Sequence, residues 1–121
     1  MTQQTKRILL VSEHNTFREA LAARLSQEED LEVTWQAGSL AEARNVHLNG
    51  VEGVIVDPLL PDGDGLVLIR ELSVANPGAF ALVLHKPDPA MRHQALSAGA
   101  AEVITTDASV EEVINAIRSE R

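Results

Sequence analysis

Length, composition and charge narrow the classes of protein to which this chain can belong. Its 121 residues suffice for one domain with a continuous core, and 45% hydrophobic residues are typical of a globular fold. A net charge of −8 with one Trp, two Phe and no Tyr argues against direct nucleic acid binding, because acidic surfaces repel phosphates. No Cys is available for disulfides, and no apolar run approaches the roughly 18 residues of a membrane span. We therefore expect one cytoplasmic domain over residues 1–121, away from membranes.

Five short apolar runs predict β-strands. In chain order they are residues 7–11, 31–37, 53–57, 79–85 and 101–105. In the second run Leu31, Val33 and Trp35 occupy alternate positions, which predicts that they share one face of the sheet. The third run is continuously apolar up to Asp57, as expected for a strand that is covered on both faces.

Amphipathic segments follow the predicted strands and begin at residues that cap helices. The start signals are the capping boxes Thr16–Glu19 and Ser39–Glu42, the N-caps Asp64 and Asp88, and Asp107 or Ser109 before the last helix. The second helix should extend to about Leu48, and Gly99 should end the fourth. Strands alternating with helices predict a parallel sheet with helices on both faces. Ligands of such sheets bind beyond the carboxyl ends of the strands.

Two stretches carry a resemblance to a known family: VIVDPLLPDGDG (54–65) and ALSAGAAEVITTDAS (95–109). The whole chain resembles a CheY-like response-regulator receiver domain, the module of two-component signalling that accepts a phosphoryl group from a histidine kinase on an aspartate. The stretch VSEHNTFREALAARL (11–25) is similar to receivers of the NarL/FixJ (LuxR-type) regulators, which precede a helix-turn-helix DNA-binding domain.

The resemblance implies a fold, partners and a domain context. The fold is a flavodoxin-like (βα)5 three-layer sandwich whose parallel five-stranded sheet has the order 2-1-3-4-5. The partners are a sensor histidine kinase, a second copy in a homodimer, and an attached DNA-binding domain. On this interpretation the chain is either the N-terminal part of a longer transcription regulator or a stand-alone protein. The domain is not expected to be an enzyme, since it has no glycine-rich phosphate loop or nucleophile elbow.

The resemblance also assigns the phosphorylation site. Asp57 stands at the position of the phosphoacceptor, and it would bind Mg²⁺ together with Glu13 and the backbone carbonyl of Leu59. Ser12 replaces one of the two acids that the family places after the first strand. Because Mg²⁺ requires closely spaced oxygen ligands, the loss of one carboxylate predicts weak binding of the ion.

Three further positions depart from the family pattern. His85 stands where receivers have a hydroxyl residue, Thr106 where they have a lysine, and Val103 where an aromatic switch residue is common. A charge-assisted hydrogen bond contributes roughly 1.5–3 kcal/mol, so losing two contacts disfavours the phosphorylated state by about 4 kcal/mol, on the order of a thousandfold. The sequence thus predicts an atypical, degenerate receiver with impaired or phosphorylation-independent switching. A conventional switch phosphorylated on Asp57 by a histidine kinase stays as the alternative.

Two additional hypotheses concern the same loops. Lys86 follows the fourth strand, and its long side chain could compensate for the missing lysine. Alternatively Glu13, Asp57 and His85, with His14 as an additional ligand, could bind zinc or another transition metal in a sensor. A pseudo-receiver that acts only as an interaction module is the remaining alternative.

Overall fold

A five-stranded parallel sheet runs through the centre of the protein. The computed structural model describes residues 5–120. The strands lie in the spatial order β2-β1-β3-β4-β5, each parallel to its neighbours. Their bounds are β1 Lys6–Val11, β2 Leu31–Ala37, β3 Gly53–Val56, β4 Phe80–Leu84 and β5 Glu102–Ile104. The predicted α/β fold class and the strand order 2-1-3-4-5 are confirmed.

Helices cover both faces of the sheet and complete the three-layer sandwich. Their bounds are α1 Asn15–Leu25, α2 Leu40–Ala43, α3 Leu66–Ala75, α4 Pro89–Ala98 and α5 Val110–Ser119, with a 3₁₀ helix at Leu48–Gly50. One face is covered by α1 and α5, and the other by α2, α3 and α4. Within residues 5–120, no helix combines the length and the apolar character that crossing a bilayer requires.

Two hydrophobic cores hold the sheet between the helices. Along β1, Ile8 and Leu10 belong to the core beneath α1 and α5, whereas Leu9 and Val11 belong to the core beneath the other three helices. All four side chains are 0% exposed. Burying one such side chain contributes roughly 1.5–3 kcal/mol. The central strands are therefore apolar wherever both of their faces are covered, as at residues 8–11 of β1 and throughout β3 and β4.

A bulge in β2 corrects the predicted face of Trp35. Ile8 pairs with Val33, but the next residue of β1, Leu9, pairs with Trp35, so Thr34 is an extra residue on β2. A shift of one residue moves the following side chains to the other face of a sheet. Accordingly Val33 packs against the core beneath α1 and α5, while Trp35 packs against the opposite core. The prediction that Leu31, Val33 and Trp35 share one face was wrong for Trp35.

The first helix begins earlier than its capping signal predicted. α1 starts at Asn15, and its N-cap is His14, whose side chain makes no capping hydrogen bond. The backbone N–H of His14 donates to Oγ of Ser12 at 3.2 Å, which turns the chain into the helix immediately after β1. Thr16 and Glu19 therefore lie inside the helix, and the predicted capping box was wrong.

The second helix is capped as predicted but is shorter. Ser39 Oγ accepts a hydrogen bond from the backbone N–H of Glu42 at 3.1 Å, which is one half of the predicted capping box. The Glu42 side chain accepts from the N–H of Gly38 at 2.6 Å and not from that of Ser39. The helix ends at Ala43 and does not continue to Leu48. Asn, Val and His at positions 45–47 all have modest helix propensity, and the chain tightens there into 3₁₀-type turns.

The later helix starts follow their predicted signals closely. Asp88 caps α4 by accepting from two backbone N–H groups of its first turn, and Gly99 ends that helix with a φ of 114°. Of the two candidates for α5, Ser109 is the cap and Asp107 is not. The Asp64 side chain accepts the N–H of Leu66 at 2.9 Å, although the geometric N-cap of α3 is the next residue, a glycine.

A network of charged side chains fastens α5 to the corner between α1 and β2. The Arg118 guanidinium contacts Asp30 Oδ1 at 2.8 Å and Glu28 Oε1 at 2.9 Å, and Arg24 contacts Glu28 Oε2 at 3.0 Å. The hydrogen bond from Arg24, followed by that from Arg118, lowers the pKa of Glu28 below its ordinary value. The hydrogen bond from Arg118 lowers the pKa of Asp30 in the same way. Both carboxylates are thus stabilised in their charged form by folding.

Candidate functional site

Asp57 is the first residue beyond the carboxyl end of the central strand β3. Its backbone N–H donates to the carbonyl of Val11 at 2.9 Å, which continues the pairing with β1 by one residue. Its Oδ1 accepts the backbone N–H of Leu59 at 2.9 Å, and the residue is half-buried. The carboxylate is therefore held at the rim of the sheet, where α/β proteins place their reactive groups.

The loop after Asp57 approaches it so closely that only glycine fits at position 65. The N–H of Gly65 donates to the carbonyl of Pro58 at 2.8 Å. A Cβ atom at Gly65 would lie 2.5 Å from the Asp57 carbonyl oxygen and 2.9 Å from a methyl group of Val56. These distances are shorter than any normal contact, so Gly65 lets the loop close around Asp57.

The same loop is anchored to α2 by Asp62. The two carboxylate oxygens of Asp62 accept the backbone N–H groups of Leu40 at 2.8 Å and Ala41 at 3.0 Å. These hydrogen bonds, the one from Leu40 first, lower the pKa of Asp62 below its ordinary value. Asp62 therefore stabilises the amino-terminal end of α2 together with Ser39.

A cavity of about 300 Å³ opens next to Asp57. Its lining consists of Ser12, His14, Phe17, Asp57, Leu84 and Thr106. The structure thus brings Asp57 together with three of the predicted positions, Ser12, His14 and Thr106. Within the described part of the chain, Asp57 is the single carboxylate of this lining, and no lysine or arginine belongs to it.

The loop between β1 and α1 is closed by hydrogen bonds that engage Ser12 fully. Ser12 is 1% exposed, and its N–H donates to the carbonyl of Ala37 at 3.0 Å. Its Oγ accepts from the N–H of His14, and its carbonyl accepts from the guanidinium of Arg18 at 2.6 Å. Arg18 also donates to the side-chain oxygen of Gln36 at 3.3 Å. Ser12 therefore stabilises the loop through its hydrogen bonds and is not a free ligand for a metal ion.

Sequence reasoning missed Arg18. It lies four residues after His14 in the first turn of α1, a spacing that places both residues on one face of a helix. The helical periodicity alone could have indicated that a cation at position 18 reaches the loop after β1.

His85 and Lys86 lie in a separate cavity of about 310 Å³, which they line together with Val103. His85 is 6% exposed, and its backbone N–H donates to the carbonyl of Ile104 at 3.1 Å. Side chains alternate along a strand, so Leu84 lines the Asp57 cavity while the next residue lines the other one. The structure therefore does not bring His85, Lys86 or Val103 into the cavity of Asp57.

The family assignment follows from comparison with known proteins. The model of the response regulator receiver domain matches residues 8–118. This chain belongs to the response regulator receiver domain family.

The curated relatives and solved structures agree with this assignment. This receiver domain is 34% identical to the transcriptional regulatory protein UhpA of Salmonella typhimurium, over 93% of this chain and 57% of that protein. It is 32% identical to the DNA-binding transcriptional activator DevR/DosR of Mycobacterium tuberculosis, over 93% of this chain and 52% of that protein. The chain therefore spans about half the length of these relatives.

A crystal structure of another response regulator has a similar fold. It is that of a response regulator protein from Burkholderia pseudomallei with a phosphorylated aspartic acid, a calcium ion and citrate. The TM-score is 0.77 with 28% identity, over 95% of this chain and 72% of that chain. The predicted resemblance to receivers of transcription regulators is thus confirmed.

The residues present in this receiver do not fit a tightly bound divalent metal ion. Glu13, the second expected acid, is exposed and does not line the Asp57 cavity. Ser12 carries no charge and already uses its oxygens within the loop. Among residues 5–120, no group of three or more His, Asp or Glu side chains lies close enough to hold a metal ion. The hypothesis of a transition-metal site at Glu13, Asp57, His85 and His14 was therefore wrong.

Proposed function

We propose that this receiver domain regulates its output without relying on magnesium-supported phosphorylation of Asp57. The observation that supports this is the composition of the cavity: one carboxylate, two hydroxyl residues, one histidine and two apolar side chains. Receivers are switches of two-component signalling, and their relatives here are transcription regulators. The proposal concerns how the switch is controlled.

The physical reason lies in the charge of a phosphoryl group. Transfer to a carboxylate requires cations that neutralise the nucleophile and the phosphoryl oxygens. In this chain Ser12 stands in place of an acid and Thr106 in place of a lysine, so the cavity offers neither a pair of metal ligands nor an ammonium group. Losing the hydroxyl and lysine contacts at positions 85 and 106 disfavours the phosphorylated state by about 4 kcal/mol.

We further propose that residues 1–121 form the receiver of a longer, cytoplasmic transcription regulator. The matched relatives are about twice as long as this chain, and one is named as a DNA-binding activator. In that arrangement the receiver controls dimerisation or an attached DNA-binding domain, and a sensor histidine kinase is retained only as a binding partner. The charge of −8 supports the view that DNA contacts belong to the attached domain.

The test is intact-mass measurement after incubation with acetyl phosphate and Mg²⁺. We expect no mass increase corresponding to one phosphoryl group. Asp57→Asn, which cannot accept phosphate, should give the same spectrum as the unmodified chain. A stoichiometric phosphoryl adduct that disappears in Asp57→Asn would overturn the proposal.

A conventional phosphorylated switch is the second candidate. It is favoured by the position of Asp57 at the carboxyl end of β3 and by the close approach of Gly65, which keeps the acceptor in place. The Burkholderia pseudomallei relative carries a phosphorylated aspartic acid. The adduct just described, obtained with acetyl phosphate or a kinase, is the result that this candidate requires.

A further inference from the structure

The second cavity, bounded by the loop between β4 and α4 and by β5, contains a buried side chain with an unused polar atom. Nδ1 of His85 lies 2.8 Å from the carbonyl oxygen of Lys86. Since a carbonyl can only accept, Nδ1 donates in this contact, and Nε2 is the ring nitrogen that the contact leaves free. Nε2 has no hydrogen-bond partner within residues 5–120. In that range, every side-chain nitrogen or oxygen atom that is shielded from solvent does have a partner. Nε2 therefore remains open to solvent, although His85 is only 6% exposed.

A defined space lies beside His85. His85 lines the cavity of about 310 Å³ and does not line the Asp57 cavity. That volume is at the lower end of the range of about 300–1,000 Å³ that is usual for small-molecule sites. Its remaining walls include apolar groups from Val103 and from two prolines, Pro87 and Pro89.

Two cations border the same cavity. Lys86 and Arg92 both line it, and neither forms an ion pair with a described carboxylate. The lining also contains one acid, Asp88, whose Oδ1 accepts the N–H groups of Ala90 and Met91 at the start of α4, so two cations stand against one carboxylate. In a chain with a net charge of −8, two cations beside one cavity favour an anionic ligand there.

We propose that this cavity binds a small hydroxycarboxylic acid with an apolar body. The carboxylate would contact Lys86 and Arg92, the hydroxyl group would hydrogen-bond to Nε2 of His85, and the apolar part would pack against Val103 and the prolines. A hydroxyl suits His85 in either protonation state, since it can both donate and accept. The site shares no lining residue with the Asp57 cavity, so it stands independently of whether Asp57 accepts phosphate.

The test uses three probes that differ by one group each: mandelate, phenylacetate and mandelamide. The 121-residue chain, labelled with ¹⁵N, is titrated with each probe while backbone amide shifts are recorded. Mandelate should cause saturable shifts at residues 85–92 and 103–105, with a dissociation constant of about 1 mM or tighter. Phenylacetate, which lacks the hydroxyl, and mandelamide, which lacks the charge, should each bind about fivefold more weakly.

Surface variants separate the site from general charge effects. Arg92→Ala should weaken mandelate binding about fivefold. Arg70→Ala removes an equal charge from α3, outside both cavities, and should leave binding unchanged. Both residues are exposed, so neither substitution threatens the fold. The proposal is overturned if mandelate gives no saturable shifts, if the three probes act alike, or if Arg92→Ala and Arg70→Ala have equal effects.

Discussion

The two sides of the Asp57 cavity contrast in how they are built. On the side of the loop between β3 and α3, Asp57 is fixed by the N–H of Leu59 and by the close approach of Gly65. On the opposite side, Ser12 and Thr106 stand at the positions that resemblance assigns to an acid and a lysine. Ser12 is tied into its own loop by His14 and by the guanidinium of Arg18.

This difference shows that the charged side chains of a site can change while the backbone arrangement around the site stays the same. The backbone arrangement depends on close contacts that only one residue type allows, such as the approach of a glycine to a carbonyl group. The charges depend on side chains at loop ends, which can change without altering the sheet. In this receiver the backbone closes around Asp57, whereas the opposite side carries the uncharged side chains of Ser12 and Thr106.

The largest expected effect comes from rebuilding the altered side. The double variant Ser12→Asp and Thr106→Lys supplies the acid and the lysine of the family pattern in the cavity of Asp57. Acetyl phosphate labelling in the presence of Mg²⁺ should rise roughly 10- to 100-fold, because the restored charge-assisted contact of the lysine contributes roughly 1.5–3 kcal/mol. Intact-mass time courses measure the labelling. The same double variant with Asp57→Asn is the control, and labelling that survives in it would point to another acceptor.

Disrupting the intact side should lower stability. Gly65→Ala forces a Cβ atom into the Asp57 carbonyl, and overpacking of this kind costs about 1–3 kcal/mol. Gly78→Ala is the matched control, because its Cβ would meet nothing closer than 3.8 Å. Urea unfolding followed by circular dichroism measures the difference. Equal midpoints for the two variants would show that the loop is not closed around Asp57.

A smaller loss is expected from the link between β1 and β2. Arg18→Gln removes the guanidinium that donates to the Ser12 carbonyl and to Gln36, and the expected loss is about 1 kcal/mol. Amide hydrogen exchange at residues 12–14 should accelerate at the same time. Arg70→Gln on α3 serves as the control. Unchanged exchange in Arg18→Gln would mean that the loop closes without this residue.

The smallest effect concerns the charged network at α5, and it depends on pH. Folding lowers the pKa of Glu28 and Asp30, so their contribution is complete above the ordinary carboxyl pKa of about 4 and is lost as pH falls through the lower folded values. Arg118→Ala should therefore reduce stability at pH 7 but not at pH 2. Urea unfolding at both pH values measures this. A deficit of the same size at both would exclude the network as its cause.

Much of the fold follows from patterns that are local in the sequence. Apolar runs indicated the five strands of the parallel sheet. Ser39, Asp88 and Ser109 indicated helix starts, because a side-chain cap acts within three residues. The errors arose where contacts with residues outside the element determine its structure. The bulge at Thr34 is set by pairing with β1, and the early start of α1 is set by Ser12, which the residues of the helix itself do not reveal.

The site was predictable in part for the same reason. The motif around Asp57 is contiguous, so its sequence indicated the candidate phosphoacceptor position, whereas the close approach of Gly65 is visible only in the structure. The direction of His85 was not indicated, because a residue just past a strand end can face either side of the sheet. Strand alternation places Leu84 rather than His85 in the Asp57 cavity, and Thr106 rather than Thr105.

The bulge in β2 has a practical consequence for spectroscopy. It turns the protein's one indole ring towards the layer of α2 and the 3₁₀ helix, where the ring lies 3.9 Å from the Cβ position of Gly50. Intrinsic fluorescence will therefore report on that outer edge of the sheet. An event confined to the opposite rim, such as occupation of the cavity beside His85, should leave the emission spectrum unchanged.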